Sequence, residues 1–468
     1  MEKLYNNILL PDNFCEKVSD PNDIYYLKDP PVVIDVTTGR QLFVDDFLIE
    51  KTDLVLEYHK AVKYSGNPIL KAEKPWETSR SPAACPKSGG VWFDEKARLF
   101  KMWYEFGWKQ HIAYATSEDG IHWNRPNLGI VPGINIILPY EGYEETKLRG
   151  GLHYLRPDST TVFIDPHVSD EERYKLFLRN PGSDAYPAIV GVSGDGIHFE
   201  KLQFTPELFD RTTIFYNPFR KKWVYSLRDY WNNGARMRSY RECDNFLKGA
   251  TWSEQDVHQW MACDSLDKPN PYIGYTPQLY NVDAVGYESI MLGLFQITYG
   301  PENDVCETHG VPKITELQPM YSRDGYHFSR PYRDGFIPAS LVKGTWDRGY
   351  IQSVGGVTII HRDELWFYYI GFPGDESPAG EPAFTNGIYR NSGTGIAKLR
   401  RDGFVSLNGD GTVLTRPVTF LGKESMHINA EGAVRAELLD AAGRKIAVSR
   451  LFEGNSTNSM LSFADFLA

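Results

Sequence analysis

The chain has 468 residues, more than one hydrophobic core usually serves, which favours a large domain with a small appendage over several equal ones. Its formal charge is −11 and no stripe of clustered Lys and Arg is present, which argues against nucleic acid as a partner, because phosphates need such a surface. Aromatic residues make up 14% of the chain and are punctuated by 41 Gly and 29 Pro, the profile of an all-β protein with many turns.

Five cysteines (Cys15, Cys85, Cys243, Cys263 and Cys306) are scattered, with no CxxC pair, so neither a zinc site nor a disulfide framework is suggested. No cofactor and no metal ligands are assigned. No stretch approaches the roughly 18 apolar residues of a membrane helix, so no membrane partner is expected. The N-terminus, MEKLYNNILLPDNFCEKVSD, lacks the basic start and long apolar run of a signal peptide, and a cytoplasmic location is expected.

Residues 1–40 read as a lead-in segment, followed by a strand at Gln41–Glu50 (QLFVDDFLIE). A unit then recurs five times. The first has GGVWFDEKA, the apolar strand RLFKMWYEF from Arg98, and SEDGIHWNRP from Ser117. The second has TVFIDPHVSDEE, YKLFLRN from Tyr174, and SGDGIHFEKL from Ser193. The third has TIFYNPFRK, KKWVYSLRDYW from Lys221, and the degenerate RECDNFLKGATW from Arg241 to Trp252. The fourth has SIMLGLFQITYG from Ser289 and SRDGYHFSRP from Ser322. The fifth has GVTIIHRDE, DELWFYYIGF from Asp363, and RRDGFVSL from Arg400 to Leu407.

Each unit therefore reads strand, turn, strand, variable loop, strand, then a Ser-x-Asp-Gly turn and an outer strand. Four antiparallel strands repeated radially make a propeller blade, and no blade is stable without its neighbours. The expected fold is all-β: a five-bladed β-propeller over residues 41–418, with Gln41–Glu50 closing the ring, and a small C-terminal β-sandwich-like segment over 419–468. In that last segment Asp-Ala-Ala-Gly, from Asp440, marks a hairpin turn. The Asp-Gly turns have a structural reason: Gly takes the positive φ of a tight turn, and Asp bonds the backbone N–H groups beside it. Asp119, Asp195 and Asp324 are accordingly placed away from the ligand face.

In a propeller the inner strands start at the ligand face, and the loops between second and third strands return there. Acid–base chemistry in such a pocket needs two carboxyl groups that converge, one protonated and one ionised. The inner-strand starts supply Glu77, Asp158, Asp210, Asp283 and Asp347, and the returning loops supply Glu105 and Asp229. Each has a plain structural alternative, as a strand cap or a partner for a neighbouring blade. Asp210 is the preferred base or nucleophile, with Asp283 or Glu105 as the acid. Arg156, Arg179, Arg211, Arg228 and Arg348 accompany them. They read either as rotamer-fixing partners of the carboxylates or as a fork for an anion such as phosphate or a uronate. Trp108 and Trp231 are the candidate sugar platforms, whereas Trp103, inside an apolar strand, reads as packing. His111, His153, His309 and His361 are scattered and assigned no role.

VDDFLIE (Val44 to Glu50), FKMWYE (Phe100 to Glu105), SEDGIHW (Ser117 to Trp123) and TWDRG (Thr345 to Gly349) resemble the five-bladed propeller glycosidases of glycoside hydrolase families 32, 43, 68 and 130. They are most similar to proteins like the family 32 N-terminal domain. The resemblance covers roughly residues 41–418. It implies a glycoside hydrolase acting on a small oligosaccharide or glycoside, a furanoside among the substrates expected, with a family 130-like phosphorylase that binds phosphate by its arginines or a non-catalytic sugar-binding propeller as alternatives. A homo-oligomer is left open. The family 32 motifs do not carry over: Asn-Asp-Pro-Asn is missing, Ile164-Asp165-Pro166 falls in a strand turn, and the Glu-Cys of Arg241-Glu242-Cys243 lies in an outer-strand position of the third unit.

Overall fold

The computed structural model describes residues 1–78, 82–107, 111–137, 158–179, 186–374, 387–422 and 425–463. Five antiparallel sheets follow one another along the chain as the blades of a ring. Blade two is Thr160–Ile164, Tyr174–Arg179, Tyr186–Ser193 and Glu200–Leu208, and blade three is Thr213–Asn217, Lys222–Tyr230, Arg236–Cys243 and His258–Met261. Blade four is Gln278–Tyr287, Ile290–Gly300 and Ile314–Ser322, with single bridges at Ile337 and Ser329 along its outer edge. In blades one and five the inner strand is broken in two. In blade one Ala84–Cys85 and Val91–Asp94 pair with Leu99–Phe106, and His111–Ser117 follows. In blade five Gln352–Ser353 and Ile359–His361 pair with Glu364–Gly371, and Gly393–Arg400 follows.

The ring closes differently from the sequence expectation. The outer edge of blade five is supplied by Val62–Lys63 and Leu70–Lys71, which pair with Gly393–Arg400. Gln41–Glu50 does not do this. Ile49–Thr52 pairs with Val413–Thr415, and Val55–Tyr58 pairs with Val405–Asn408, in two small ladders outside the blades. The residues before Ile49 pack beneath blade four instead. Asp45 there accepts three hydrogen bonds from the buried Arg323 guanidinium, at 2.8–3.1 Å. The C-terminal segment forms two further ladders, His427–Val434 with Phe452–Met460 and Glu437–Leu439 with Lys445–Val448, the second turning at Asp440. Among the described residues no helix is long and apolar enough to cross a membrane.

The core lies between blades. Five apolar clusters each fill one gap of the ring. Trp103 from blade one packs in the gap to blade two, wholly buried, and its indole N–H donates to the Gly196 carbonyl at 2.7 Å. It is packing, as its strand position predicted.

The three Ser-x-Asp-Gly turns share one set of bonds. Ser117, Ser193 and Ser322 each hold the Asp two residues on, at 3.0, 2.9 and 3.1 Å. That Asp accepts two backbone N–H groups and the His ring three residues on, at 2.6–2.9 Å. Gly120, Gly196 and Gly325 have φ of 75–83°, the left-handed region that makes the turn. The aromatic residue after each His enters a gap between blades: Phe199 and Phe328 within their clusters, Trp123 against its own. Burial disfavours charge on Asp119, Asp195 and Asp324, yet the His ring and the backbone donors outweigh it and hold all three below the usual carboxylate range.

Candidate active site

The turns lie at one end of the strands. In blade one Phe100 pairs with Ser117 at that lower end, while Glu105 pairs with Ile112 at the other. Five residues of strand separate them, about 17 Å. The upper end gathers the charged side chains.

Blade one supplies Lys87. Its inner strand breaks at a short 3-10 turn, Lys87–Gly89, and Lys87 itself takes a φ of 44°. Gly90 follows at φ 97°, and a Cβ on Gly89 would stand 2.6 Å from the Trp103 carbonyl, so the bulge depends on these two glycines. Through it the Lys87 ammonium reaches Glu105 and Asp158, each at 3.0 Å. Arg179 stands 3.5 Å from the other Asp158 oxygen. All of these side chains are at most 3% exposed. Burial lowers the Lys87 ammonium, and the two carboxylates more than restore it, holding it above the usual lysine value.

Blade three supplies the solvent-open part. Asp210, ahead of the inner strand, is ion-paired with Arg228 from the second strand. The Asp210 side chain is 27% exposed, against 1% for Glu105. Arg228 also bonds the Tyr230 hydroxyl, and Phe209 meets the Tyr230 ring edge-on at 5.5 Å. Burial and then Arg236 hold the Arg228 guanidinium below an ordinary arginine. Trp231 is half-buried at the hairpin turn that closes on Ala235.

Between the two, buried polar side chains bond one another. Arg211 donates to Gln296 at 3.3 Å, and Gln296 donates to the Ile351 carbonyl at 2.9 Å. Arg238 donates to Ser226 at 2.9 Å and to the Arg211 carbonyl at 2.8 Å. Burial and the Arg211 charge hold Arg238 well below an ordinary arginine. Asp283 accepts from Asn281 at 2.9 Å and from Ser353.

The sequence candidates therefore divide. Glu105, Asp158, Arg179, Asp210, Arg211, Arg228 and Asp283 lie at the upper ends of blades one to four and feel one another's charges through Arg228 and Arg238. They are not at one equivalent strand position: Asp283 faces Leu294 within its ladder, whereas Asp158 and Asp210 precede the first paired residues, Thr160 and Thr213. Asp229 is turned away. Strand alternation puts it on the opposite face of blade three from Arg228, where Ser239 donates to it at 2.6 Å. Asp347 is captured elsewhere, by Lys63 of the ring-closing segment at 2.6 Å and by Tyr369 at 3.1 Å. Glu77 is fully bonded by Tyr104, Arg125 and two backbone N–H groups. Arg348 donates to the Gly374 carbonyl at 3.4 Å, in the loop before blade five. Trp108, Arg156 and His153 lie outside the described residues. Glu242, of the Glu-Cys pair, bonds both Nη groups of Arg220 at the lower end, far from this cluster.

Lys87, Arg236, Arg238, Tyr280 and Lys313 carry no mark of their own in the sequence. Each is a polar residue in or beside an apolar strand, and the Pro86-to-Gly90 break in blade one is the one available signal. Among the described residues no group of three or more His, Cys, Asp or Glu side chains is placed to hold a metal ion.

No protein-family model matches the chain, and no curated protein matches its sequence. Solved structures do match. An N-acetylgalactosamine deacetylase from F. plautii, in complex with blood group B trisaccharide, is 12% identical, with 75% of this chain and 95% of that one covered and a TM-score of 0.46. An endo-1,4-beta-xylanase from Bacteroides thetaiotaomicron is 11% identical, with 72% and 98% covered and a TM-score of 0.44. A beta-1,2-mannobiose phosphorylase from Listeria innocua is 11% identical, with 72% and 96% covered and a TM-score of 0.46.

Chemically, the upper end offers a carboxylate open to solvent, Asp210, held by an arginine and flanked by aromatic rings. Glu105, Asp158 and Asp283 are buried and bonded, and Glu302 is exposed and faces Arg236. A carboxylate such as Asp210, paired with an arginine, suits attack on carbon or removal of a proton from water.

Proposed function

We propose that the protein hydrolyses a glycosidic bond in a small oligosaccharide or glycoside at the upper end of the ring, with Asp210 as nucleophile or base. The observation that carries this reading is the Asp210–Arg228 pair, open to solvent at the head of an inner strand. Phe209, Tyr230 and Trp231 beside it offer ring faces for a sugar. The Asp210→Asn variant, which keeps the shape and removes the charge, tests it on a panel of glycosides. A loss of about 10²–10⁴-fold in kcat is expected, the usual weight of a positioned acid or base. Turnover equal to the parent would make Asp210 structural.

Phosphorolysis is the second reading, favoured by Arg211. Its Nε and Nη1 are buried and have no hydrogen-bond partner among the described residues. A guanidinium in that state suits an oxyanion. Product analysis separates the two: free sugar without phosphate supports hydrolysis, and phosphate-dependent sugar phosphate supports phosphorolysis.

A further inference from the structure

Glycoside cleavage calls for a second proton-handling group across from Asp210. Asp229 faces away, Glu105, Asp158 and Asp283 are each buried and bonded, and Glu302 is exposed and faces the Arg236 guanidinium. Another group stands on the same side of the ring. Tyr280, near the start of the inner strand of blade four, is 8% exposed. The Arg236 guanidinium lies 5.1 Å from its ring centre and the Lys313 ammonium 5.3 Å. The Tyr350 hydroxyl donates to the Tyr280 oxygen at 2.7 Å.

Lys313 makes this arrangement unusual. It is 2% exposed, yet no carboxylate lies within 4.0 Å of it or of Arg236 among the described residues. Among those residues its one hydrogen bond is to the Tyr389 hydroxyl, at 3.4 Å. A buried ammonium without an anion is costly, and a charged one calls for a negative group nearby. The phenol between the two cations is the group that can supply it. Arg236, Gln278, Thr298, Glu302 and Lys313 line a depression at the surface, and the Tyr280 ring lies against its Arg236 and Lys313.

We propose that Tyr280 is the proton-transfer residue of this site, acting opposite Asp210 first as acid and then as base. The proposal rests on the hydrolytic reading above. In the first step Asp210 bonds to the anomeric carbon, the glycosidic C–O bond breaks, and the departing oxygen takes the Tyr280 proton. In the second, water gives a proton back to the Tyr280 phenolate and displaces Asp210 from carbon. Lys313 and Arg236 are positioning residues that stabilise the phenolate between the steps, and the Tyr350 hydroxyl donates to it throughout.

The electrostatics agree. Burial and the Asp210 charge raise the Tyr280 phenol, Lys313, Arg236 and the Tyr350 hydrogen bond lower it, and the net is a phenol below its ordinary 10. Tyr350 moves the other way, raised by burial and by Tyr280. Glu302, facing Arg236 from the loop after blade four's second strand, and Tyr389 and the Cys306 thiol, facing Lys313, are further titratable groups around it.

Absorbance titration of tyrosinate tests this without a substrate. The parent is expected to form one tyrosinate at lower pH than the rest. That step should vanish in Tyr280→Phe and move up in pH in Lys313→Met. A Tyr280→Phe curve that overlays the parent's overturns the proposal, and so does a Lys313→Met curve with the step unmoved. Should Tyr280→Phe fail to fold, Lys313→Met and Arg236→Gln read the same step. With a cleaved substrate in hand, Tyr280→Phe should lose far more kcat on alkyl glycosides than on nitrophenyl glycosides, whose leaving group needs no proton. Equal losses overturn the acid role. Failure of Asp210→Asn to lose activity would instead strike the hydrolytic reading, and leaves the titration arm to stand or fall alone.

Discussion

Arg228 reaches from the second strand of blade three to the Asp210 carboxylate at the head of the first. The pair joins two strands of one blade, so the carboxylate is held by the same sheet that carries it. Arg228→Met removes that hold and leaves the Asp210 carboxylate free to shift. We expect kcat to fall by about 10²-fold, the loss that a displacement of about 1 Å brings to a reacting group. Arg228→Lys should fall between, because an ammonium keeps the charge and loses the planar fork. Steady-state kinetics on any cleaved glycoside reads both, and a Met variant as fast as the parent would remove Asp210 from the chemistry.

Lys87 is the counter-charge of two buried carboxylates at once. Lys87→Met should therefore destabilise the fold by about 3–5 kcal/mol, the range for breaking a buried pair from one side. Because the folded-state value of Lys87 is raised, its contribution is complete below the ordinary lysine value and is lost only at strongly alkaline pH. The loss in the variant should thus be as large at neutral pH as at about pH 9. The double variant Lys87→Met with Glu105→Gln should recover part of it in urea melts.

The three Asp-Gly turns set an acid limit. Asp195 falls from its ordinary 3.8 to about 2 in the fold, with Asp119 and Asp324 lowered too. A depressed carboxylate stabilises the native state above its unfolded value and stops doing so as pH falls through its folded one. Stability should therefore decline between about pH 4 and pH 2. Asp195→Asn keeps the oxygen that the backbone N–H groups reach and loses the charge that faces His198. Its midpoint in urea should be lower than the parent's near neutral pH and should drop less steeply in acid.

These turns are legible because each is written in a short run of neighbouring residues. In the first of them Ser117, Asp119, Gly120, His122 and Trp123 carry the whole pattern, and the turn needs no distant partner to fold. The strand heads are legible in the same local way, and Asp158 and Asp210 stand at two of them. Other positions depend on strands far apart in the chain. Asp347 reads as a strand head until Lys63, 284 residues away, takes its carboxylate. Tyr280 and Lys313 look like ordinary strand residues until blade three brings Arg236 against the Tyr280 ring. Asp229 misleads for a simpler reason: next to Arg228 in sequence, it lies across the sheet from it, because alternate residues of a strand face opposite ways.

Ring closure gives the last test. Leu70 is 3% exposed and packs in the gap between blades five and one, where its strand completes blade five. Leu70→Ala should cost about 2–5 kcal/mol, the range for a buried leucine whose site cannot fully collapse. Val62, in the other piece of the same edge, is 72% exposed, and Val62→Ala should be nearly neutral. Asp45→Ala probes the segment that the sequence pattern assigns to ring closure. It strands the buried Arg323 beneath blade four and should cost about 3–5 kcal/mol. Because Leu70 and Asp45 share no partner, the two losses should add in the double variant. Urea melts of the four variants against the parent decide it: a Leu70→Ala variant as stable as the parent would mean that Leu70–Lys71 does not hold the ring shut.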